Sequence, residues 1–443
     1  MRRRQLLALC LLLVGGRISA QSFALVETPQ VGDCYQVELT MKLAGEMRVF
    51  KDGKPVPMKL NAAAQHHFPE RILAVDRGLP TKTARAYEKA QATITVDGVG
   101  SERTLRPERR LLVAQRHHDQ PLVYSPAGPL TRDELDLTSE HFDTLALVGL
   151  LPGKSVAVGD SWKIPDPVVQ ALCHFEGLSS HDLTGSLVKV EDGLAHVRIA
   201  GSATGIDLGA LAKLKIEAQV TYQLASKTLT SLEWRQTDER DQGPASPALA
   251  VEATTRLTRR LVETPPALSD EALVEIPDGF EVPPPLTQIE CRDPKGRFEL
   301  LHAREWHVVG QTNEHLVMRL LERGDFVAQV TITPWAKAKP GEHMSAEDFQ
   351  QEMANIPGWE PEQVLQSGEV PLDSDRWCYR LSVLGMLEDL KVLQNFYLVA
   401  GPGGDQVVVA FTMKQSVADK LGTRDLSLVG SLELPRGPSA KPR

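Results

Sequence analysis

The chain has 443 residues, with 49 Lys and Arg against 58 Asp and Glu, a formal charge of −9. An acidic chain without a basic stripe lacks the footprint that neutralises phosphates, which argues against nucleic-acid binding. The length suggests two or three domains.

The first residues read as a leader. Met1-Arg2-Arg3-Arg4 is basic, Leu6 to Val14 is apolar, and Ile18-Ser19-Ala20 offers a cleavage site between Ala20 and Gln21. The apolar run is shorter than the roughly 20 residues that span a bilayer, and no later run approaches that length. The expectation is a cleaved signal peptide (1–20), an exported protein (periplasmic or extracellular), and no transmembrane segment after cleavage. An uncleaved anchor or a lipid attachment is the alternative, although Cys10 sits too early for the latter. Cleavage would remove Arg2, Arg3, Arg4 and Arg17 and no acid, leaving a charge of about −13.

Cys34, Cys173, Cys291 and Cys378 remain, and four thiols allow three pairings. An oxidising compartment permits Cys34–Cys173 and Cys291–Cys378, one disulfide per domain. Four buried thiols acting as small hydrophobes are the other reading. There is no Cys-x-x-Cys pair, so a zinc ribbon or thioredoxin-type site is excluded.

Residues 23–262 are dominated by period-2 patterns. Tyr35, Val37, Leu39 and Met41 alternate with Gln36, Glu38, Thr40 and Lys42, as a half-buried strand does. Ala92, Ile94 and Val96 repeat this, as do Ala195, Val197 and Ile199. Asp52-Gly53, Asp97-Gly98 and Asp192-Gly193 supply the positive φ angles of tight hairpins, so neighbouring strands are antiparallel. Two helices interrupt. One begins with a capping box of Thr131 and Glu134 and runs, broken, to about Leu147. The other has Asp166 as N-cap, Pro167 at its first position, an apolar stripe of Val168, Val169, Leu172 and Phe175, and Gly177 at its end. Both are expected to cover one face of the sheet. The Arg-rich stretch Arg103 to Arg116 reads as a solvated strand face.

Residues 263–288 contain Pro265-Pro266, Pro277 and Pro283-Pro284-Pro285 among acids and read as an extended linker. Residues 289–435 then show strands through Phe326–Thr333 and Trp377–Val383, a helix capped by Ser345 and Asp348, a hairpin at Gly401-Pro402-Gly403-Gly404, and a last helix from Arg424 with Thr423 as N-cap. Residues 436–443 read as a disordered tail. The fold class is α+β, mostly antiparallel β, in two domains, each a sheet covered by a few helices.

This second domain resembles the PsbP-like fold, named for an extrinsic photosystem II subunit and shared by the bacterial DcrB lipoprotein. The resemblance is carried by Phe298-Glu299-Leu300 leading to Trp306, by Thr331-Ile332-Thr333-Pro334, by the helix Ala346 to Met353, and by Leu428-Val429-Gly430-Ser431-Leu432. It covers about a third of the chain, and it implies a non-enzymatic binding or assembly role without transferring a site. The first domain, with Leu151-Pro152-Gly153 and Val158-Gly159-Asp160-Ser161-Trp162, resembles uncharacterised exported bacterial proteins. In topology it is also similar to lipoprotein carriers of the LolA type, which fold a curved sheet over helices.

No catalytic template emerges. Gly-x-Ser-x-Gly is absent. Ser186 and Lys189 have Ser-x-x-Lys spacing, but in a strand residues three apart face opposite sides. Gly401-x-Gly403-Gly404 leads into a strand rather than a helix, so it is a turn and not a phosphate cradle. His66-His67 and His117-His118 are adjacent strand pairs that cannot chelate from one face. His302 and His307 flank Trp306 and would suit a ligand cleft, although Trp306 also reads as core. Asp133, Glu134 and Asp136 sit in a helix's first turn, where the macrodipole favours acids. Asp160-Ser161-Trp162 reads as a turn leading into a strand. No cofactor, metal or catalytic residue is assigned. The leading expectation is a non-enzymatic envelope protein that binds a partner protein or participates in assembly. A carrier of a hydrophobic or lipid ligand, held beneath the first domain's sheet, and an envelope hydrolase without a recognisable motif are the alternatives.

Overall fold

The computed structural model describes residues 21–51, 54–117, 120–139, 142–372 and 375–435. In chain order the strands of the first part are β1 Ser22–Ala24, β2 Cys34–Lys51, β3 Lys54–Asp76, β4 Leu79–Ala86, β5 Lys89–Val96, β6 Val99–Thr104, β7 Leu111–His117, β8 Gln120–Tyr124, β9 Leu130–Thr131, β10 Ser155–Ala157, β11 Ser161–Lys163, β12 Gly177–His181, β13 Thr184–Glu191, β14 Leu194–Asp207, β15 Ala210–Gln223, β16 Thr228–Arg240 and β17 Ala248–Val262. Helices α1 (Arg132–Ser139) and α2 (Asp166–Leu172) and the 3-10 segment Thr144–Leu150 interrupt them.

Fourteen of these strands form one antiparallel sheet in the order β11-β13-β14-β15-β16-β17-β2-β3-β4-β7-β8, with β12 on β14 and the β5–β6 hairpin on β3. The chain closes the pairing of β17 with β2, so its first and last long strands lie at the sheet's centre. The 23-residue β3 serves two neighbours, pairing β5 through Leu60–His67 and β4 through Glu70–Asp76. The expected hairpins at Asp97-Gly98 and Asp192-Gly193 are present, both residues of each pair having positive φ. Asp52-Gly53 lies outside the described residues. β15 shows the alternation at its cleanest: its even-numbered residues from Ala210 to Tyr222 are buried, and its odd-numbered ones face out.

The inner face packs on α1, α2 and the 3-10 segment. The capping box at α1 is formed: Thr131 N donates to Glu134 Oε2 (2.9 Å), and Glu134 N donates to Thr131 Oγ1 (3.2 Å). The first helix spans Arg132–Ser139, and the 3-10 segment Thr144–Leu150 follows it, so the run is broken as expected. α2 is shorter than expected. It stops at Leu172, and His174, at φ 56°, turns the chain away well before Gly177, which opens β12.

The second part contributes α3 (Pro284–Thr287), β18 Ile289–Arg292, β19 Glu299–His302, β20 Trp306–Gln311, β21 Leu316–Glu322, β22 Asp325–Trp335, α4 (Ala346–Ala354), β23 Trp359–Glu369, β24 Trp377–Leu387, β25 Leu390–Ala400, β26 Gln406–Lys414, α5 (Ala418–Leu421) and α6 (Arg424–Ser431). Seven of these strands form an antiparallel sheet, β20-β21-β22-β26-β25-β24-β23. Ser345 caps α4 as expected, its Oγ accepting from Asp348 N at 3.1 Å. The Gly401–Gly404 turn joins β25 to β26, closed by Gly404 N donating to Gly401 O at 3.0 Å.

The two parts are stitched together. β18 pairs with β9 in parallel, and Ile289 enters the first core. Arg106 forks onto both carboxylate oxygens of Glu134 (2.7 Å each) and reaches Glu290 Oε2 at 3.0 Å. Arg304 donates to Val123 O (2.6 Å) and Arg319 to Pro244 O (2.6 Å). Residues 263–288 run along the first sheet. Leu268 is buried against Cys34 and Ala84, Lys82 Nζ donates to the carbonyls of Pro277 (2.6 Å) and Gly279 (2.8 Å), and Gln115 donates to Phe280 O (2.7 Å).

The architecture is therefore mostly antiparallel β in several separate sheets. Three of the arginines of 103–116 do not form a solvated face, while Arg110 is exposed as expected. Arg103 pairs with Asp133 and Asp136, Arg106 with Glu134, and Arg116 with Asp143, tying the strands to the helical layer. Among the described residues no helix is long and apolar enough to cross a membrane.

Candidate functional site

Residues opposite one another on antiparallel strands share a face, so the register writes out the inner surface in rows. One row is Trp234, Thr255, Met41, Ala64 and Ala92, on β16, β17, β2, β3 and β5. The next is Gln236, Ala253, Leu43, Ala62 and Ile94, followed by Asp238, Val251, Gly45, Leu60 and Val96. Toward the other end of the same strands stand Leu232, Leu257, Leu39, Tyr35 and Phe68, large side chains that fill the core. Where the alanines take over, the helical layer no longer reaches the sheet. A cavity of about 490 Å³ opens there, roofed by Leu137, Phe142 and the segment Cys173–Glu176 that follows α2.

Close packing shapes the roof. Phe142 meets Trp234 edge-on at 5.7 Å. Phe175 lies over Gly205 of β14, where a Cβ would come within 2.4 Å of its ring. Glycine at this position is what lets the phenyl ring and β14 approach.

The lining is two-sided. Toward β17, β2, β3 and β5 it is apolar. Toward β14–β16 it carries Asp207, Asp238 and Arg240, with His174 and Glu176 facing them from the roof. Arg240 Nη1 pairs closely with Asp207 Oδ2. Asp238 Oδ1, Arg240 Nε and His174 Nε2 are hidden from solvent and make no hydrogen bond within the protein. Burial pushes the Asp238 carboxyl up to about 6, against the attraction of Arg240 and with the help of Asp207. Burial also raises Glu176, which accepts from Gly209 N at 3.2 Å, and lowers His174, keeping it neutral. Across the cavity, Asp136 is raised by burial while Arg132 and Arg103 oppose the shift. Cys173 is pushed up to about 12 by burial and offers no thiolate near neutrality. Among the described residues no group of three or more His, Cys, Asp or Glu is placed to hold a metal ion.

Of the candidate residues singled out from sequence, Cys173 and Asp136 line this cavity and the others lie elsewhere. The four cysteines are buried free thiols, so neither Cys34–Cys173 nor Cys291–Cys378 is formed. Cys34 packs with Ala84 and Leu268 and Cys173 joins the large core, while Cys291 and Cys378 share the second core without bonding. Ala20 lies outside the described residues, and Gln21 is exposed. His66 and His67 point to opposite faces: His66 packs edge-on to Tyr87 at 5.8 Å, and His67 Nδ1 lies 2.7 Å from Glu88. Of the pair His117-His118, His117 ends β7 and His118 lies outside the described residues. Ser186 donates to Arg198 O (3.4 Å) while Lys189 pairs with Glu191, so they form no couple. Trp306 is core, edge-on to Phe411 at 5.8 Å, and burial lowers both His302 and His307 to about 4. Asp160 Oδ2 accepts from Ala157 N (2.8 Å) in a turn before β11.

Sequence reading missed Asp238, Arg240, His174 and Glu176. A signal existed on β16: Gln236, Asp238 and Arg240 have the same parity as Leu232 and Trp234, so three polar side chains stand on the core-facing side of a strand.

The sequence matches no protein-family model and no curated protein. Among solved structures, the PsbP protein CyanoP of Synechocystis sp. PCC 6803 is similar over 34% of this chain and 93% of its own, at 14% identity and TM-score 0.26. The Saccharomyces cerevisiae Ran-binding protein Mog1p is similar over 33% of this chain and 95% of its own, at 9% identity and TM-score 0.27. Lipovitellin aligns with 55% of this chain and 26% of its own, at 7% identity and TM-score 0.30. At this identity and coverage the PsbP-like resemblance of the second part is supported only weakly, and none of these likenesses bears on activity.

Proposed function

We propose that this protein is an exported, non-enzymatic binding protein that carries a small amphipathic ligand beneath its large sheet. Of the classes left open by the sequence, the carrier is the one that a preformed cavity favours. The observation that carries the reading is the 490 Å³ space between the alanine-lined rows and the roof after α2. Ligand pockets typically run from about 300 to 1,000 Å³ and combine an apolar lining with a few placed polar groups. This one has an apolar side of Leu43, Ala62, Ile94, Val251 and Ala253, and a polar side at Asp238, Arg240 and His174. Its polar groups are not arranged as a nucleophile and base, which favours holding a ligand over transforming it.

Titrating the full chain with the uncharged dye Nile red tests the reading. The expected result is saturable enhancement at one dye per chain, abolished by Ala62→Trp, which fills the space from β3. Equal binding to both proteins, with unchanged circular dichroism, would refute the cavity as the site.

A further inference from the structure

The apolar side of the cavity does not stop at its rim. Beyond the row of Asp238, Val251, Gly45 and Leu60, the inner face continues through Arg240, Leu249, Met47 and Met58 and then the opposed pair Val49 and Val56. On β17, β2 and β3 these positions are all apolar apart from Gly45, and they reach toward the β2–β3 turn, where Val56 is 39% exposed. At about 3.4 Å per residue, Gly45 to Val49 adds roughly 14 Å of apolar track leading out of the cavity. Gly45 has no room for a side chain: a Cβ there would lie 2.2 Å from Ala250 O on β17.

The polar side has a definite sign. Four carboxylates (Asp136, Glu176, Asp207 and Asp238) and two guanidiniums (Arg103 and Arg240) line the cavity. Both guanidiniums are committed to acids, Arg103 to Asp133 and Asp136, and Arg240 to Asp207. An anionic head would meet one unsatisfied donor, Arg240 Nε, on a guanidinium already neutralised by Asp207, and would face two carboxylates outside those pairs, Asp238 and Glu176. A cationic donor would meet Asp238 on this wall, a carboxylate whose Oδ1 no protein group satisfies. A carboxylate of this kind gains most from a charged partner that also donates hydrogen bonds.

We propose that the cavity selects amphiphiles with a cationic, hydrogen-bond-donating head such as a primary ammonium, seated at Asp238 with the alkyl chain against the track formed by β17, β2 and β3. This rests on the carrier reading and names its ligand class. Fatty-acid anions and phosphate-headed lipids are selected against by the same charges.

Calorimetric titration of the full chain at pH 7.5 with decylammonium, decanol and decanoate, each below its micellar concentration, separates the possibilities. The expected order is decylammonium about tenfold tighter than decanol, with decanoate weakest. In Asp238→Asn the ratio of ammonium to alcohol affinity should fall about tenfold. Decanoate binding as tightly as decylammonium would overturn the proposal, as would an unchanged ratio in Asp238→Asn. Decanol and decylammonium binding equally would overturn the choice of head while sparing the carrier reading. Binding of none of the three would remove the carrier reading itself. Should Asp238→Asn fail to fold, the ranking on the unsubstituted chain still decides.

Discussion

Replacing Asp238 by Asn should stabilise the free protein near neutral pH. The carboxyl's ordinary value of 3.8 is raised to about 6 by burial, with Arg240 pulling it down and Asp207 pushing it up. The folded state therefore holds this proton more tightly than the unfolded chain does. Between about pH 6 and pH 4 folding takes up a proton, so stability rises as the pH falls through that window, and above pH 6 the full cost of the buried charge is borne. At 1.36 kcal/mol per pH unit the ceiling on that cost is about 3 kcal/mol. The residue as a whole is only half-buried, so a gain of about 1–2 kcal/mol is expected for Asp238→Asn at pH 7.5. Urea unfolding of both proteins at pH 7.5 and pH 4 measures it. The variant should be the more stable at pH 7.5, and the difference should shrink toward zero at pH 4. A variant less stable at pH 7.5, or a difference that ignores pH, would refute the reasoning. Stability gained where ligand selectivity is lost is what a binding site held at a cost to the free protein predicts.

Arg106→Ala strands the Glu134 carboxylate, whose side chain is only 3% exposed, and should cost about 3–5 kcal/mol in thermal or urea unfolding. Glu134 is held below its ordinary value because its hydrogen bonds from Arg106 and Thr131 outweigh burial. That stability is present above about pH 4.5 and is lost as the pH falls through the depressed value, so the penalty should be smaller in acid. Gly205→Ala pushes a methyl against the Phe175 ring and Gly177 O. It should lower stability by about 1–3 kcal/mol and weaken Nile red binding, a loss that a purely structural clash remote from the cavity would not cause. Ellman's reagent should label none of Cys34, Cys173, Cys291 and Cys378 in the native protein and all four after unfolding without reductant; a disulfide would leave two unlabelled.

Several local signals in this chain were reliable, although Asp166 falls inside α2 instead of capping it and Thr423 makes no side-chain capping bond. The Thr131–Glu134 capping box, the Ser345 cap and the Asp97-Gly98 and Asp192-Gly193 turns involve partners within a few residues, so residue type and spacing specify them. Strand alternation likewise announced an antiparallel β protein and which face of each strand is apolar. It left unsaid which strands are neighbours, because register depends on pairings such as β17 with β2, more than 200 residues apart in sequence. The cavity exists only through that pairing. Ala62, Ala64, Ala92 and Ala253 are unremarkable singly, and they make a space only when the strands from β17 to β5 set them side by side under a roof that includes Cys173–Glu176. Arg103, Arg106 and Arg116 read as solvent-facing because their acids, on α1 and at Asp143, lie some 30 residues onward. The cysteines could be read as pairs or as buried thiols because spacing says nothing about where each strand and helix buries them. Composition and periodicity by themselves determined an acidic, mostly antiparallel β chain with capped helices. Tertiary structure alone decided that its inner face holds a cavity with one apolar wall and one acidic wall, since adjacency across a sheet is a property of the closed fold and not of any segment within it.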